Sequence, residues 1–221
     1  TPTIKALGRA EVIEKLDREG LLPAITFIFS RAQCDSAVRQ CLVAGLRLTN
    51  AEERSEIRQV IADKTRTLPE DDLVVLGFHE WVDSLERGVA SHHAGLLPAF
   101  KVTVEELFQR GLVKAVFATE TLALGINMPA RTVVLEKLSK WNGEGHVAIS
   151  PGEYTQLTGR AGRRGIDIEG NAVILWSNDL DSTSVGGLAS TRTYPLKSSF
   201  KPTYNMSINL ISQFGSARAR T

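Results

Sequence analysis

The stretch Ala24-Ile25-Thr26-Phe27-Ile28-Phe29 restricts the fold more than any other, because its apolar side chains do not alternate with polar ones. A strand with one wet face alternates with period two, whereas a β-branched and aromatic run that is apolar on both faces fits a central parallel strand. Leu112-Val113-Lys114-Ala115-Val116-Phe117-Ala118 is the clearest buried strand, and residues 88–93, 131–135 and 170–176 are further candidates. Between them lie segments of helical period. Residues 8–20 carry Ala10, Val12, Ile13 and Leu16; residues 32–44 turn Ala37, Val38, Cys41 and Leu42 inward; residues 99–109 follow the second strand. Gly20, Gly45 and Gly111 stop these helices. Strands and helices that alternate through long crossovers predict an α/β domain with a mostly parallel sheet.

The remaining segments are less regular. Residues 50–63 mix charges of both signs and read as an exposed helix, and Leu68-Pro69-Glu70-Asp71-Asp72 opens a helix up to Arg87 in which Leu73, Leu76 and Leu85 pack. Trp81 in that helix is either core or a base-stacking platform, with core the favoured reading. Lys140-Trp141-Asn142-Gly143-Glu144-Gly145-His146 contains an Asn-Gly turn typical of a small exposed hairpin. After Trp176 the composition shifts to Ser, Thr, Gly and Asp through Thr191, which reads as a linker or exposed loop. Residues 192–201 are basic, and residues 204–217 predict a helix with Met206, Ile208, Leu210, Ile211 and Phe214 apolar. The expected division is a domain over residues 1–176, then a linker and the start of a following helical domain over 177–221.

Twenty-six basic and twenty-five acidic side chains leave a net charge near zero, so contact with nucleic acid has to come from a local patch. Cys34 and Cys41, seven residues apart on a helix, stand about 10 Å apart along its axis, too far for a disulfide, and read as buried thiols. The adjacent His92 and His93 have no cysteine or carboxylate at ligand spacing, so no metal site is expected. There is neither an eighteen-residue apolar run nor a signal-peptide pattern, and Thr1-Pro2-Thr3 reads as the cut end of a longer chain. A cytoplasmic protein with no membrane contact is the expectation.

Candidate site residues gather where strands end. In open α/β sheets ligands bind outside the carboxyl ends of strands, which singles out Ser30 and Arg31, although a plain helix cap with a solvated arginine fits equally well. Thr119, after the buried strand, is placed to cap a short helix whose free N–H groups could hold a phosphate; it could equally be a cap alone. The densest feature is Gln156-Leu157-Thr158-Gly159-Arg160-Ala161-Gly162-Arg163-Arg164-Gly165. If residues 154–164 are helical, Arg160 shares a face with Arg163 and Arg164, while Gly159 and Gly162 let a neighbouring backbone or ligand approach. Guanidinium groups chelate phosphate through paired hydrogen bonds; the alternative is a solvated basic helix end. Together these groups predict one edge of the sheet lined with phosphate-directed side chains.

In order and spacing, Phe27 to Arg31, Ser91 to Pro98, Ala118 to Pro129 and Gln156 to Gly165 resemble motifs IV, IVa, V and VI of superfamily 2 helicases. His-His-Ala-Gly-Leu-Leu-Pro together with Gln-x-x-Gly-Arg-Ala-Gly-Arg-Arg-Gly resembles the superkiller-type DExH RNA helicases associated with RNA decay. Gly187 to Thr191, Ser198 to Phe200 and Tyr204 to Met206 look closest to the actinobacterial HelY-type branch. The resemblance implies the second RecA-like domain, three-layered α/β/α, of an ATP-dependent 3′-to-5′ RNA helicase. It implies that Arg160 and Arg163 reach the ATP γ-phosphate, that Gln156 contacts the nucleotide, and that Gly125 and Asn127 touch the ribose. It further implies that Ser30, Arg31, His93, Gly95, Thr119 and Glu120 meet the nucleic-acid backbone, and for Arg164 it leaves pairing with an acidic residue as an alternative.

One departure limits the chain. It has no Gly-Lys-Ser/Thr phosphate loop and no Asp-Glu-x-His after any strand, and Glu70-Asp71-Asp72 reads as a helix start. ATP and Mg are therefore expected mainly on an N-terminal RecA-like domain of the same protein, with none held by this chain alone, which is expected to be inactive by itself. The expected partners are that domain, single-stranded RNA, with DNA as the alternative, and RNA-decay machinery. A stand-alone nucleic-acid-binding module and half of a DNA helicase remain open.

Overall fold

The computed structural model describes residues 6–69, 77–125, 128–177, 180–191 and 212. The chain divides into two compact units, Thr1–Thr191 and Arg192–Thr221, and the sheet lies in the first. Glu70-Asp71-Asp72, Leu73, Leu76, Asn127, the basic stretch 192–201 and, apart from Ser212, the helix expected over 204–217 lie outside the described residues.

Helix α1 (Arg9–Arg18) leads through Gly20, at φ 66°, into β1 (Ala24–Phe27). Ser30 then caps α2 (Arg31–Val43) by accepting from the Gln33 N–H at 3.4 Å. Asn50 and Glu53 close a reciprocal capping box, both bonds 2.8 Å, at the start of α3 (Ala51–Thr65). Next come α4 (Phe78–Glu86), β2 (Val89–His92), α5 (Pro98–Gln109) with Pro98 at its first position, and β3 (Ala115–Ala118). The chain continues as α6 (Thr121–Gly125), β4 (Thr132–Leu135), the antiparallel hairpin β5 (Ser139–Trp141) and β6 (His146–Ala148), α7 (Pro151–Thr158), β7 (Asn171–Ile174) and α8 (Ser182–Ser190).

The sheet runs β2-β3-β1-β4-β7 with every pairing parallel, and Phe27 stands in register with Ala118 on one side and Leu135 on the other. Strand alternation sorts the core into two layers. Ile25, Phe27, Val116, Val133 and Leu135 pack with Ile57, Leu85, Val104, Leu107 and Leu122 on one face. Ala24, Ala115, Phe117 and Val134 pack with Ile13, Leu16, Cys34, Ala37 and Cys41 on the other. Helices cover both faces, which is why the strands carry no polar face. Trp81 is core: it stacks on Phe100 with ring centroids 4.0 Å apart at 11°. Both cysteines are buried thiols, and burial pushes each up to about 12.

Three expectations are corrected. α3 is not simply exposed: Ile57, Val60 and Ile61 are buried, and the helix packs on α4 and α5. Its mixed charges sit on the outer face, and the three apolar residues at helical spacing were enough to bury the inner one. The stretch before Thr191 is not loop throughout: Asp181 accepts from the N–H groups of Thr183 and Ser184 at 3.1 and 2.9 Å to start α8, and Leu188 packs on the core. The arginine stretch is not helical over 154–164, because α7 ends at Thr158 and Gly159 is its C-cap.

Candidate functional site

Two ladder hydrogen bonds bring the ends of three strands together. Thr119 N–H donates to the His92 carbonyl at 3.3 Å, and Ile28 N–H donates to the Ala118 carbonyl at 2.8 Å. Ser30, His93 and Thr119 thus stand at the neighbouring carboxyl ends of β1, β2 and β3. His93 is fixed on both ring nitrogens: Gly95 N–H donates to Nδ1 at 3.1 Å, so the proton of the neutral ring sits on Nε2 and is shared with Asp35 at 3.0 Å. Asp35 also accepts from the Ser91 hydroxyl at 2.8 Å. Burial pushes the Asp35 carboxyl up, but the bonds from His93 and Ser91 outweigh burial and hold it below its usual range. A Cβ at Gly95 would stand 3.1 Å from His93 Nδ1, so glycine lets this turn fold back on the ring.

Thr119 is buried, and its hydroxyl bonds that of Thr121 at 2.9 Å in place of an N–H of α6, a helix of only five residues. Arg31 is exposed at the start of α2. Glu120 lies 3.8 Å from Lys140 of β5, whose ammonium also pairs with Glu153 in the first turn of α7. The Glu153 bond is the main cause raising the lysine's pKa. Asn142 closes the hairpin by accepting from the N–H groups of Glu144 and Gly145 at 3.0 and 2.9 Å. Trp141 and His146 meet edge to face at 5.4 Å, with Trp141 exposed, beside a cleft of about 370 Å³ that also takes in Ser30 and Lys137.

The arginine loop lies elsewhere, and the expectation that one edge of the sheet collects every phosphate-directed group is corrected. Ala161 forms a parallel bridge with Ala130, just before β4: Ala130 N–H donates to the Arg160 carbonyl at 2.9 Å, and Gly162 N–H to the Ala130 carbonyl at 2.7 Å. On the other side the loop rests on Gly170, just before β7, where an added Cβ would fall 2.5 Å from the Ala161 carbonyl group. Gly162, at φ 89°, turns the chain there. The reason is topological. α7 is the crossover returning the chain from the carboxyl end of β4 to the start of the parallel β7, so its last residues arrive at the amino ends of the strands.

Within this loop Arg160 donates to the Ala123 carbonyl of α6. Arg163 grips Asp167 by its backbone N–H at 2.9 Å, Nε at 2.8 Å and Nη2 at 2.8 Å. The Asp167 side chain is 4% exposed against 26% for that of Arg163, and the Arg163 guanidinium holds the carboxyl down to about 2. Arg163, not Arg164, is therefore the arginine paired with an acid, and Arg164 is exposed. Gln156 is exposed on α7 and Gly125 ends α6. Among the described residues no group of three His, Cys, Asp or Glu is arranged to hold a metal ion.

Asp35 and Asp167 escaped the sequence reading. Asp167 had a signal, since an acid four residues after an arginine can close a local pair. Asp35 had none, because its partners lie 56 and 58 residues away.

Residues 73–165 match the helicase conserved C-terminal domain. Over 212 residues the chain is 66% identical to the Probable helicase HelY of Mycobacterium tuberculosis (strain CDC 1551 / Oshkosh), covering 96% of this chain and 23% of that protein. It is 63% identical over 218 residues to the Mycobacterium leprae (strain TN) Probable helicase HelY, covering 97% and 24%. It is 37% identical over 201 residues to the human Exosome RNA helicase MTR4, covering 91% and 19%. The chain thus spans about a quarter or less of the length of these relatives.

Proposed function

Because this chain carries the helicase C-terminal domain of a superkiller-type DExH helicase, HelY-like, we propose that it is the second motor domain of an ATP-dependent 3′-to-5′ RNA helicase. The observation that carries the reading is the separation of two polar faces on one rigid sheet. Ser30, Arg31, His93, Gly95, Thr119 and Glu120 gather at the carboxyl ends of adjacent strands, and Arg160 and Arg163 at the amino ends. A motor has to hold a polymer and a nucleotide in different places and link them. Arg160, bonded to Ala123 just beyond Thr119, Glu120 and Thr121, is such a link.

Side chains at the carboxyl edge hold nucleic acid through sugar and phosphate, so little sequence preference follows. Arg160, Arg163 and Gln156 face ATP held with Mg on an N-terminal RecA-like domain of the same protein, with Gly125 and Asn127 at the ribose. The loop fits that role from one side: it supplies cationic donors, and its Asp167 carboxylate is taken up by Arg163. ATP hydrolysis supplies the driving force; a fixed guanidinium stabilises the charge that develops in phosphoryl transfer. The hairpin β5–β6 helps part a duplex, and replacing residues 140–146 by a short glycine link should impair unwinding while sparing ATPase. RNA-decay machinery is the partner class, and the cytoplasm is the proposed location.

The test is Arg163→Ala in the longer protein, with ATP turnover measured on RNA and on matched DNA. Turnover should fall by about 10³-fold or more. Near-normal turnover would remove the nucleotide role, and stimulation by DNA alone would replace RNA as substrate.

A further inference from the structure

The arginine loop carries two apolar side chains that the fold does not use. Ile166 is 70% exposed and Ile168 102% exposed, while Asp167 between them is 4% exposed at its side chain. Solvent contact for one isoleucine is ordinary; two on either side of a buried anchor form a small patch held in place. Arg163 fixes Asp167 with three bonds, and the N–H groups of Ile166 and Asp167 both donate to the Arg163 carbonyl at 3.0 Å. Gly165, at φ 79°, sets the turn before them. The latch that locates the Arg163 guanidinium therefore also points two isoleucines away from the core.

We infer that Ile166 and Ile168 are a docking surface for the nucleotide-holding domain of the same longer protein. The inference rests on the reading that Arg160 and Arg163 face a nucleotide on that domain. Whatever presents a phosphate to these arginines must approach the same loop. Relatives about four times as long as this chain leave ample sequence for such a domain. Apolar contact beside the guanidinium groups excludes water from the closed interface, which strengthens each charge interaction there. The isoleucines thus favour the closed state of the two domains and leave the arginines to act on the phosphate.

The experiment is the double variant Ile166→Ser, Ile168→Ser in the longer protein, beside Ile166→Val, Ile168→Val and Arg163→Ala. Both isoleucines are exposed, so the serine variant should fold with an unchanged melting temperature. Its nucleic-acid-stimulated ATP turnover should fall at least fivefold, nucleotide-free RNA binding should hold, and the valine variant should recover most of the loss. If Arg163→Ala abolishes turnover while the serine variant stays within twofold of the parent, the docking inference fails and the nucleotide reading stands. If Arg163→Ala also leaves turnover intact, the nucleotide reading fails first. A concentration-dependent dimer of the parent that dissociates in the serine variant would assign the patch to a second copy and overturn the inference.

Discussion

Arg163 and Asp167 close a five-residue loop, in which one carboxylate accepts a backbone N–H and two guanidinium N–H groups of the same arginine. The pair fixes the guanidinium before any ligand arrives. Asp167→Asn should leave Arg163 charged and loosely held, with a loss of roughly 1–3 kcal/mol for a buried charge-assisted contact. Thermal unfolding measures the stability cost. In the longer protein the same variant should lower ATP turnover less than Arg163→Ala does.

The same pair sets an acid limit. Asp167 has a folded-state pKa of about 2, below the ordinary unfolded value near 4. A depressed carboxylate contributes stability that is complete above the unfolded pKa and disappears as pH falls through the folded one. The contribution is about 2 kcal/mol, after a discount for the solvent reaching Arg163, and it should vanish between roughly pH 4 and pH 2. Acid titrations of the parent and of Asp167→Asn should converge below that window; curves that stay parallel would contradict the assignment.

Gly170→Ala should be far worse than an alanine at a glycine with room. At Gly170 the new Cβ would fall 2.5 Å from Ala161 and 2.6 Å from the Gly162 nitrogen, all backbone atoms, whereas at Gly145 nothing lies within 4 Å. A loss of about 2 kcal/mol or more is expected at position 170 and within about 0.5 kcal/mol at position 145. Denaturant unfolding of the two variants gives the comparison.

Lys140→Met should loosen the hairpin without unfolding the domain. Its ammonium joins Glu120 and Glu153 but is 26% exposed, so the pair is worth about 1 kcal/mol or less. Amide exchange in residues 139–148 should accelerate while that of residues 115–118 is unchanged. Equal acceleration in both would mean a global loss of stability.

Asp35→Ala should free the His93 ring, which keeps only its contact with Gly95 N–H. Nucleic-acid affinity should weaken several-fold, with a stability loss of about 1–3 kcal/mol from the orphaned Ser91 and His93 donors. Fluorescence anisotropy with labelled single-stranded RNA measures the first effect and thermal unfolding the second.

How much of this could be read from the chain varies with the range of the forces involved. β1 and β3 were legible because burial on both faces leaves a continuous apolar run, and Ser30 as a cap because capping is local chemistry. The helix drawn through Arg160 was not legible as wrong. Its glycines permit a turn without demanding one, and what ends the helix is the Ala130 to Ala161 bridge, a contact 31 residues distant in sequence. The face on which the arginines stand was hidden for a similar reason, since strand order and crossover direction appear only once the sheet is assembled. Asp35 is the limiting case: an ordinary helical acid until Ser91 of β2 and His93 just after it arrive beside it.

The Ala130 to Ala161 bridge and the close approach of Gly170 hold the arginine loop through backbone contacts at the amino ends of β4 and β7. The hairpin, by contrast, pairs with itself among the described residues and is tied to the domain by Lys140. These attachments are independent, so residues 142–145 are where a chain of this architecture can gain or lose length without shifting a guanidinium. The fold separates a part that has to stay in register from a part that is free to diversify.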